Sequence, residues 1–168
     1  MGSPDLLLDV KRAMCAAAWI MFVLIMKNIV LLVMMAVQRR KNAIYRVPED
    51  ANVFGVGQQH DAGDDWSLAG RIQRVLANDT EYMPYFLALL LFVFSTAYVT
   101  IQSSPHYLAR VLIYGIIFII GRYLHTVCYL IRNTKGRILG FMISVLVLVV
   151  MCFDHVYYMS KALYNHKP

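Results

Sequence analysis

The sequence predicts an all-α integral membrane protein built as a bundle of four transmembrane helices. Of its 168 residues, 60% are hydrophobic and only 15% are charged. The mean hydropathy of +0.56 lies well above that of a soluble domain. The apolar residues are concentrated in four runs, each close to the ~20 residues that a helix needs to cross a bilayer's hydrocarbon core. These runs are Ala13–Val37, Met83–Thr100, Leu108–Ile131 and Ile138–Met159.

The first run is expected to be retained as a span. It is too long for the apolar core of a secretory signal, and no small-residue cleavage site follows it. Four spans use most of the chain, so residues 1–168 are expected to form one membrane domain with a long loop at residues 38–68. The cysteines Cys15, Cys128 and Cys152 lie in or beside spans and are interpreted as buried structural thiols.

The net charge of +6 is concentrated beside the spans. Most lysine and arginine lies in the long first loop and in the link between spans three and four, and the positive-inside rule places both in the cytosol. Lys11 and Arg12 oppose this orientation. A nucleic-acid partner is not expected, because the charges flank spans and do not form a stripe with interleaved aromatic residues.

Polar residues also follow helical spacing in and before two spans. From about Trp66 the chain is predicted to be helical, and spacings of three, four and three place Arg71, Arg74, Asn78 and Glu81 on one face. In span three, spacings of three and four place Arg122, His125 and Tyr129 on one face. Because an arginine within a span costs at least ~2.5 kcal/mol, such a face is expected to point into the bundle and to mark a function.

These two faces together predict a mostly cationic pocket at membrane depth. The pocket would also contain Arg39 and Arg137, with Glu81 as its carboxylate. Arginine binds carboxylates through two parallel hydrogen bonds, and a glutamate suits an ammonium group. Glutathione, with two carboxylates, one ammonium and a thiol, fits this set of charged side chains, and so does a phosphate headgroup. A channel or proton relay would also explain intramembrane charge.

The chain resembles the MAPEG superfamily, the membrane-associated proteins of eicosanoid and glutathione metabolism. It is most similar to the branch of microsomal glutathione transferases and microsomal prostaglandin E synthases. The resemblance runs from about Lys27 to Phe141 and is carried by four motifs. They are Pro48-Glu49-Asp50, Arg74-x-x-x-Asn78-Asp79-x-Glu81 with Pro84-x-Phe86, Gly121-Arg122-x-x-His125-Thr126-x-x-Tyr129-Leu130, and Arg137.

The resemblance implies a homotrimer with glutathione in a cytosol-facing cleft between neighbouring protomers, and no metal. The matching glutathione-binding positions are Arg39, Arg74, Asn78, Glu81, His125, Tyr129 and Arg137, supported by Arg71 and Arg122. Glu81 would receive the ammonium, the cleft arginines the carboxylates, and Arg137 the sulfur. Arg137 and Asp50 are the implied catalytic residues, since Asp50 matches an aspartate implicated in the isomerase chemistry.

Several differences between this sequence and the prostaglandin synthases of the branch favour a transferase. Such synthases carry a serine at the position of Ile138 and an arginine at that of Ala77. The link between spans three and four is one residue shorter than in the family. Arg132 is therefore the alternative to Arg137 as the arginine that contacts the sulfur.

The expected function is therefore a membrane glutathione transferase that conjugates lipophilic electrophiles and reduces lipid hydroperoxides. A glutathione-dependent prostaglandin E synthase is the first alternative, and a non-catalytic lipid-binding or scaffold member of the superfamily is the second. The expected location is the endoplasmic reticulum membrane, or the mitochondrial outer membrane, with the active site facing the cytosol. Lys27 is expected to pair within the bundle or to snorkel, and Asp154 and His155 to lie near the exit of the last span.

Overall fold

The chain folds as four long α-helices in a computed structural model that describes residues 4–41, 67–99 and 107–165. The helices are α1 (Pro4–Lys41), α2 (Leu68–Val99), α3 (Tyr107–Leu130) and α4 (Thr134–Asn165). In the described parts of the chain, α1, α3 and α4 are long and apolar enough to cross a membrane. The four-helix membrane fold predicted from the sequence is confirmed, while the crossing of the bilayer by α2 stays a prediction.

The helices are longer than the apolar runs within them. α1 begins at Pro4, nine residues before Ala13, and α2 begins at Leu68, close to the predicted start near Trp66. α2 also continues through Pro84. The residues between the described segments include Asp50, so the prediction made for that residue lies outside them.

The core lies along the contact between all four helices. α3 packs most extensively against α4 and also contacts α1 and α2. Phe86 of α2 and Phe118 of α3 stack with their ring centroids 3.9 Å apart, and both are completely buried. Most other apolar surface points outward, as in Trp19 and Phe153, which are 64% and 72% exposed. Such exposure is expected where lipid, and not water, covers a helix.

One prediction about the cysteines is wrong. Cys128 is buried, but Cys15 and Cys152 are exposed on the outer surface. Lipid-facing positions accept a small apolar thiol as readily as core positions do, so helical position in a span does not by itself determine burial.

A smaller apolar cluster holds α2 against the carboxyl end of α3. Leu31, Ile72 and Val75 form its buried centre, and Tyr129 and Leu130 pack against it. This cluster fixes the amino-terminal half of α2 beside the end of α3, which is where cationic side chains gather.

Candidate functional site

A cleft of about 420 Å³ lies where the amino-terminal half of α2 meets the turn between α3 and α4. Four arginine side chains line it, two from α2, one from the turn and one from the first turns of α4. The lining residues are Arg71, Arg74, Cys128, Tyr129, Arg132, Asn133, Thr134 and Arg137. Its volume falls within the ~300–1,000 Å³ that is common for small-molecule sites.

The α3–α4 turn that carries these cations has a defined hydrogen-bonded geometry. The amide of Asn133 donates to the carbonyl of Cys128 at 2.8 Å, and the amide of Arg132 donates to that of Tyr129 at 3.4 Å. These two bonds are the Schellman ending of a helix. The Asn133 side chain then accepts from the amide of Gly136 at 3.1 Å and so caps the start of α4.

Arg132 occupies the left-handed position of this turn, with φ of 65°. Glycine usually fills that position because other L-residues are disfavoured there by roughly 1–2 kcal/mol each. The chain therefore maintains a local strain that places an arginine at the mouth of the cleft.

Two arginines in the cleft are oriented by groups at the end of α3. Arg71 donates from Nη1 to the carbonyl of Leu130 at 3.2 Å, satisfying one of the free carbonyls at the helix end. Arg137 places its guanidinium carbon 4.9 Å from the centroid of the Tyr129 ring. The contact is within the range of a cation–π interaction. Both contacts hold positive charge beside Tyr129.

Beneath the cleft, Asp79 of α2 is the centre of a buried ion-pair network. Its Oδ1 accepts from Nε of Arg122 at 2.8 Å and pairs also with Nη2 of that residue. Its Oδ2 accepts from Nζ of Lys27 at 2.5 Å. Lys27 further donates to Thr126 Oγ1 at 3.3 Å, and Arg122 to Asn78 Oδ1 at 3.0 Å. One carboxylate thus joins α1, α2 and α3.

On the face of α3 that carries Tyr129, two polar atoms are left without a hydrogen-bond partner in the described part of the chain. They are Nη1 of Arg122 and Nδ1 of His125, both buried. Buried polar atoms are normally paired. Both atoms lie on the same helix face as Tyr129. This position fits a site that is completed by water or by a ligand with many hydrogen-bonding atoms.

The structure brings together part of the predicted set of site residues. Arg71, Arg74, Tyr129 and Arg137 line the cleft, and the short α3–α4 link keeps Arg137 in it. Arg132, the alternative to Arg137, lines the same cleft, so both candidates are present. The ring of His125 lies below, with its centroid 5.8 Å from that of Tyr129.

The remaining predicted residues lie elsewhere on the single chain. Arg39 donates to Oε1 of Gln73 at 3.2 Å and is not among the lining residues. Glu81 is exposed on the surface of α2. Asn78 faces Arg122.

Sequence reasoning missed the role of Asp79 as the carboxylate of the buried network. The available signal was that Lys27 and Arg122 are basic residues within spans and need a counter-charge, which Asp79 could provide. Pairing of Lys27 within the bundle is confirmed.

Asp154 and His155 lie within α4, ten or more residues before its end at Asn165. Asp154 pairs with Arg110 of α3. His155 lies with its two ring nitrogens 2.6 Å and 2.9 Å from the carbonyl oxygens of Met151 and Leu89. That both residues lie near the exit of the last span stays a prediction.

The comparisons with known proteins agree with this architecture. A family model described as the MAPEG family matches residues 17–157, which is most of the chain. No curated protein matches it. The match covers α2 and α3 in full, most of α1 and α4, and every described residue of the cleft and of the buried network. The chain therefore belongs to the MAPEG family, a superfamily of membrane-bound, glutathione-related transferases and isomerases.

Proposed function

We propose that the protein is a membrane glutathione transferase that conjugates lipophilic electrophiles and reduces lipid hydroperoxides. The observation that carries this proposal is the cleft at the α3–α4 turn, which four arginine side chains line together with Tyr129. A concentration of positive charge of this kind, at the end of membrane-spanning helices, suits a small and highly anionic ligand.

Glutathione matches the chemistry of this cleft. Its two carboxylates suit the positively charged guanidinium groups of Arg71 and Arg74. Its thiol would lie beside Arg137, where a neighbouring cation lowers the pKa of a thiol from its reference value near ~8.5 and increases the thiolate fraction. The orphaned nitrogens of Arg122 and His125 offer hydrogen bonds to further oxygen atoms of the peptide.

The proposed chemistry follows from the thiolate. In conjugation, the sulfur forms a bond to an electrophilic carbon and a halide or similar group departs. In hydroperoxide reduction, the sulfur attacks the outer peroxide oxygen, the O–O bond breaks, and the alkoxide takes a proton to become an alcohol. A second glutathione then converts the sulfenic acid to glutathione disulfide and water.

We further propose a homotrimer in which neighbouring protomers complete each glutathione site. Glu81 is exposed on α2 of the single chain, and an unpaired carboxylate so near the predicted second span would be costly. Pairing with the glutathione ammonium across a subunit boundary would remove that cost. Arg39, Asn78 and His125 would bind the peptide from the same protomer or its neighbour, and Asp50 would support the chemistry.

A glutathione-dependent prostaglandin E synthase is the second candidate. Asp50 favours it, whereas Ile138 and Ala77 replace residues that such synthases carry. A non-catalytic scaffold is less well supported, since it would have no use for arginines gathered in a cleft. For either enzyme we expect the endoplasmic reticulum membrane, with the cleft facing the cytosol and the second substrate entering from the lipid.

The decisive experiment is turnover of the purified protein with glutathione and each of three second substrates. They are an aryl halide, a lipid hydroperoxide and prostaglandin H2. Conjugation or peroxide reduction without formation of prostaglandin E2 supports the transferase. Isomerisation of prostaglandin H2 alone reverses the ranking, and absence of turnover with all three, together with absence of glutathione binding, supports the scaffold.

A further inference from the structure

Arg132 is placed in the cleft in a way that the binding of glutathione does not explain. It lines the cleft together with Arg71, Arg74 and Arg137, yet its side chain is exposed, so it lies at the mouth and not in the interior. The α3–α4 turn holds it in the left-handed conformation, at φ 65°, where glycine would be free of strain. Non-glycine residues kept in that region cluster at functional sites.

The charge of Arg132 is not neutralised by the described part of the protein. The ion pairs there join Lys27 and Arg122 to Asp79, and Arg110 to Asp154. Arg132 takes part in none of them. In the proposed site, one guanidinium faces the thiolate and two face the carboxylates of glutathione, which leaves the fourth for a different anionic group.

An apolar surface begins at Arg132 and runs away from the mouth along α3. Tyr123, Val127 and Ile131 follow one another at spacings of four, so they lie on one face of the helix. They are 39%, 50% and 64% exposed. The face ends at Ile131, the residue directly before Arg132. A cation at the end of an exposed apolar face matches an amphipathic molecule that has an anionic head and a long apolar tail.

We propose that Arg132 is a specificity-determining residue that selects second substrates carrying a carboxylate, such as a long-chain fatty-acid hydroperoxide, over their neutral esters. Arg132 binds the carboxylate at the mouth of the cleft, while the acyl chain lies against Tyr123, Val127 and Ile131. This inference rests on the proposed glutathione-dependent activity and assigns Arg132 a role separate from that of Arg137.

The test compares a long-chain fatty-acid hydroperoxide with its methyl ester, in vesicles of a zwitterionic phospholipid that offers no competing anionic headgroup. The quantity measured is the ratio of kcat/KM for the acid to that for the ester. We expect a ratio of roughly two to five in the unmodified protein, as for an exposed arginine–carboxylate pair. In Arg132→Gln the ratio should fall to about one, with Arg132→Lys between them.

Two further variants separate recognition from folding. Arg132→Gly should also lose the preference for the acid while its Tm stays equal or rises, because glycine relieves the left-handed strain. Lys135→Gln is the matched control, since Lys135 is an exposed cation of the same region that does not line the cleft. Its ratio should equal that of the unmodified protein.

The outcomes distinguish this inference from the proposed function. If conjugation of a neutral aryl halide proceeds but the acid-to-ester ratio is the same in Arg132→Gln and the unmodified protein, the role of Arg132 is wrong and the transferase stands. An equal loss of the ratio in Lys135→Gln would likewise overturn it, because the effect would then be general surface charge. Absence of turnover with every electrophile overturns both.

Discussion

The guanidinium carbon of Arg137 lies 4.9 Å from the centre of the Tyr129 ring. The two residues come from different helices, and the Schellman turn between α3 and α4 brings them together. The ring keeps the cation within the cleft without neutralising it, because an aromatic face attracts a cation but carries no net charge. Arg137 therefore remains able to stabilise an anion.

Replacement of Arg137 by leucine should affect chemistry more than binding. We expect the ultraviolet absorbance of bound thiolate to disappear at neutral pH, and kcat to fall much more than the affinity for glutathione, since Arg71 and Arg74 remain. An interaction made with the thiolate alone acts on the reactive form. Raising the pH toward the pKa of the free thiol, near ~8.5, should restore part of the rate. Unchanged absorbance and rate would show that Arg137 is not the thiolate partner.

Replacement of Glu81 by alanine should act on binding. We expect the dissociation constant of glutathione, measured by calorimetry, to rise by roughly tenfold or more, because the ligand ammonium loses a charged hydrogen-bond partner. Glu81→Gln, which keeps the shape and loses the charge, should behave similarly. Unchanged affinity in a variant that is still trimeric would remove Glu81 from the site.

The buried network predicts a large stability effect at Asp79. Asp79→Asn leaves Lys27 and Arg122 without a counter-charge, and breaking a buried pair on one side costs about 3–5 kcal/mol. Thermal unfolding in detergent should therefore show a strongly lowered Tm. Lys27→Met is the informative comparison, since Asp79 then keeps one cation, and it should be tolerated much better. Equal destabilisation by both variants would contradict this account of the charge balance.

The close packing of α3 on α4 makes two glycines differ in how they can be replaced. A Cβ at Gly140 would lie 2.5 Å from the backbone nitrogen of His125, and one at Gly136 would collide with Sγ of Cys128. Both alanine variants should lose stability, by roughly 1–3 kcal/mol for overpacking. Cys128→Ala should restore much of the loss in Gly136→Ala, because it removes the atom in conflict. It should not rescue Gly140→Ala, where the conflict is with backbone.

The long helices, the shared helix faces and the superfamily could be predicted from the sequence alone, because each depends on residues close together in the chain. Hydropathy determines the long apolar helices, since the requirement to cover about 30 Å of hydrocarbon is a matter of length and composition. Helical spacing alone places Arg71 with Arg74, and Arg122 with His125 and Tyr129, on common faces. The motifs around these residues, such as Gly121-Arg122-x-x-His125, identify the superfamily.

The tertiary structure decided which faces meet. Asp79 lies 52 residues from Lys27 and 43 from Arg122, and no periodicity within one helix relates them. Arg110 and Asp154 are 44 residues apart and were likewise not matched. Arg132 and Arg137 were treated as alternatives, but the turn brings both into one cleft. The physical reason is that spacing fixes direction around a single helix axis, whereas contact between helices depends on how side chains pack across the bundle.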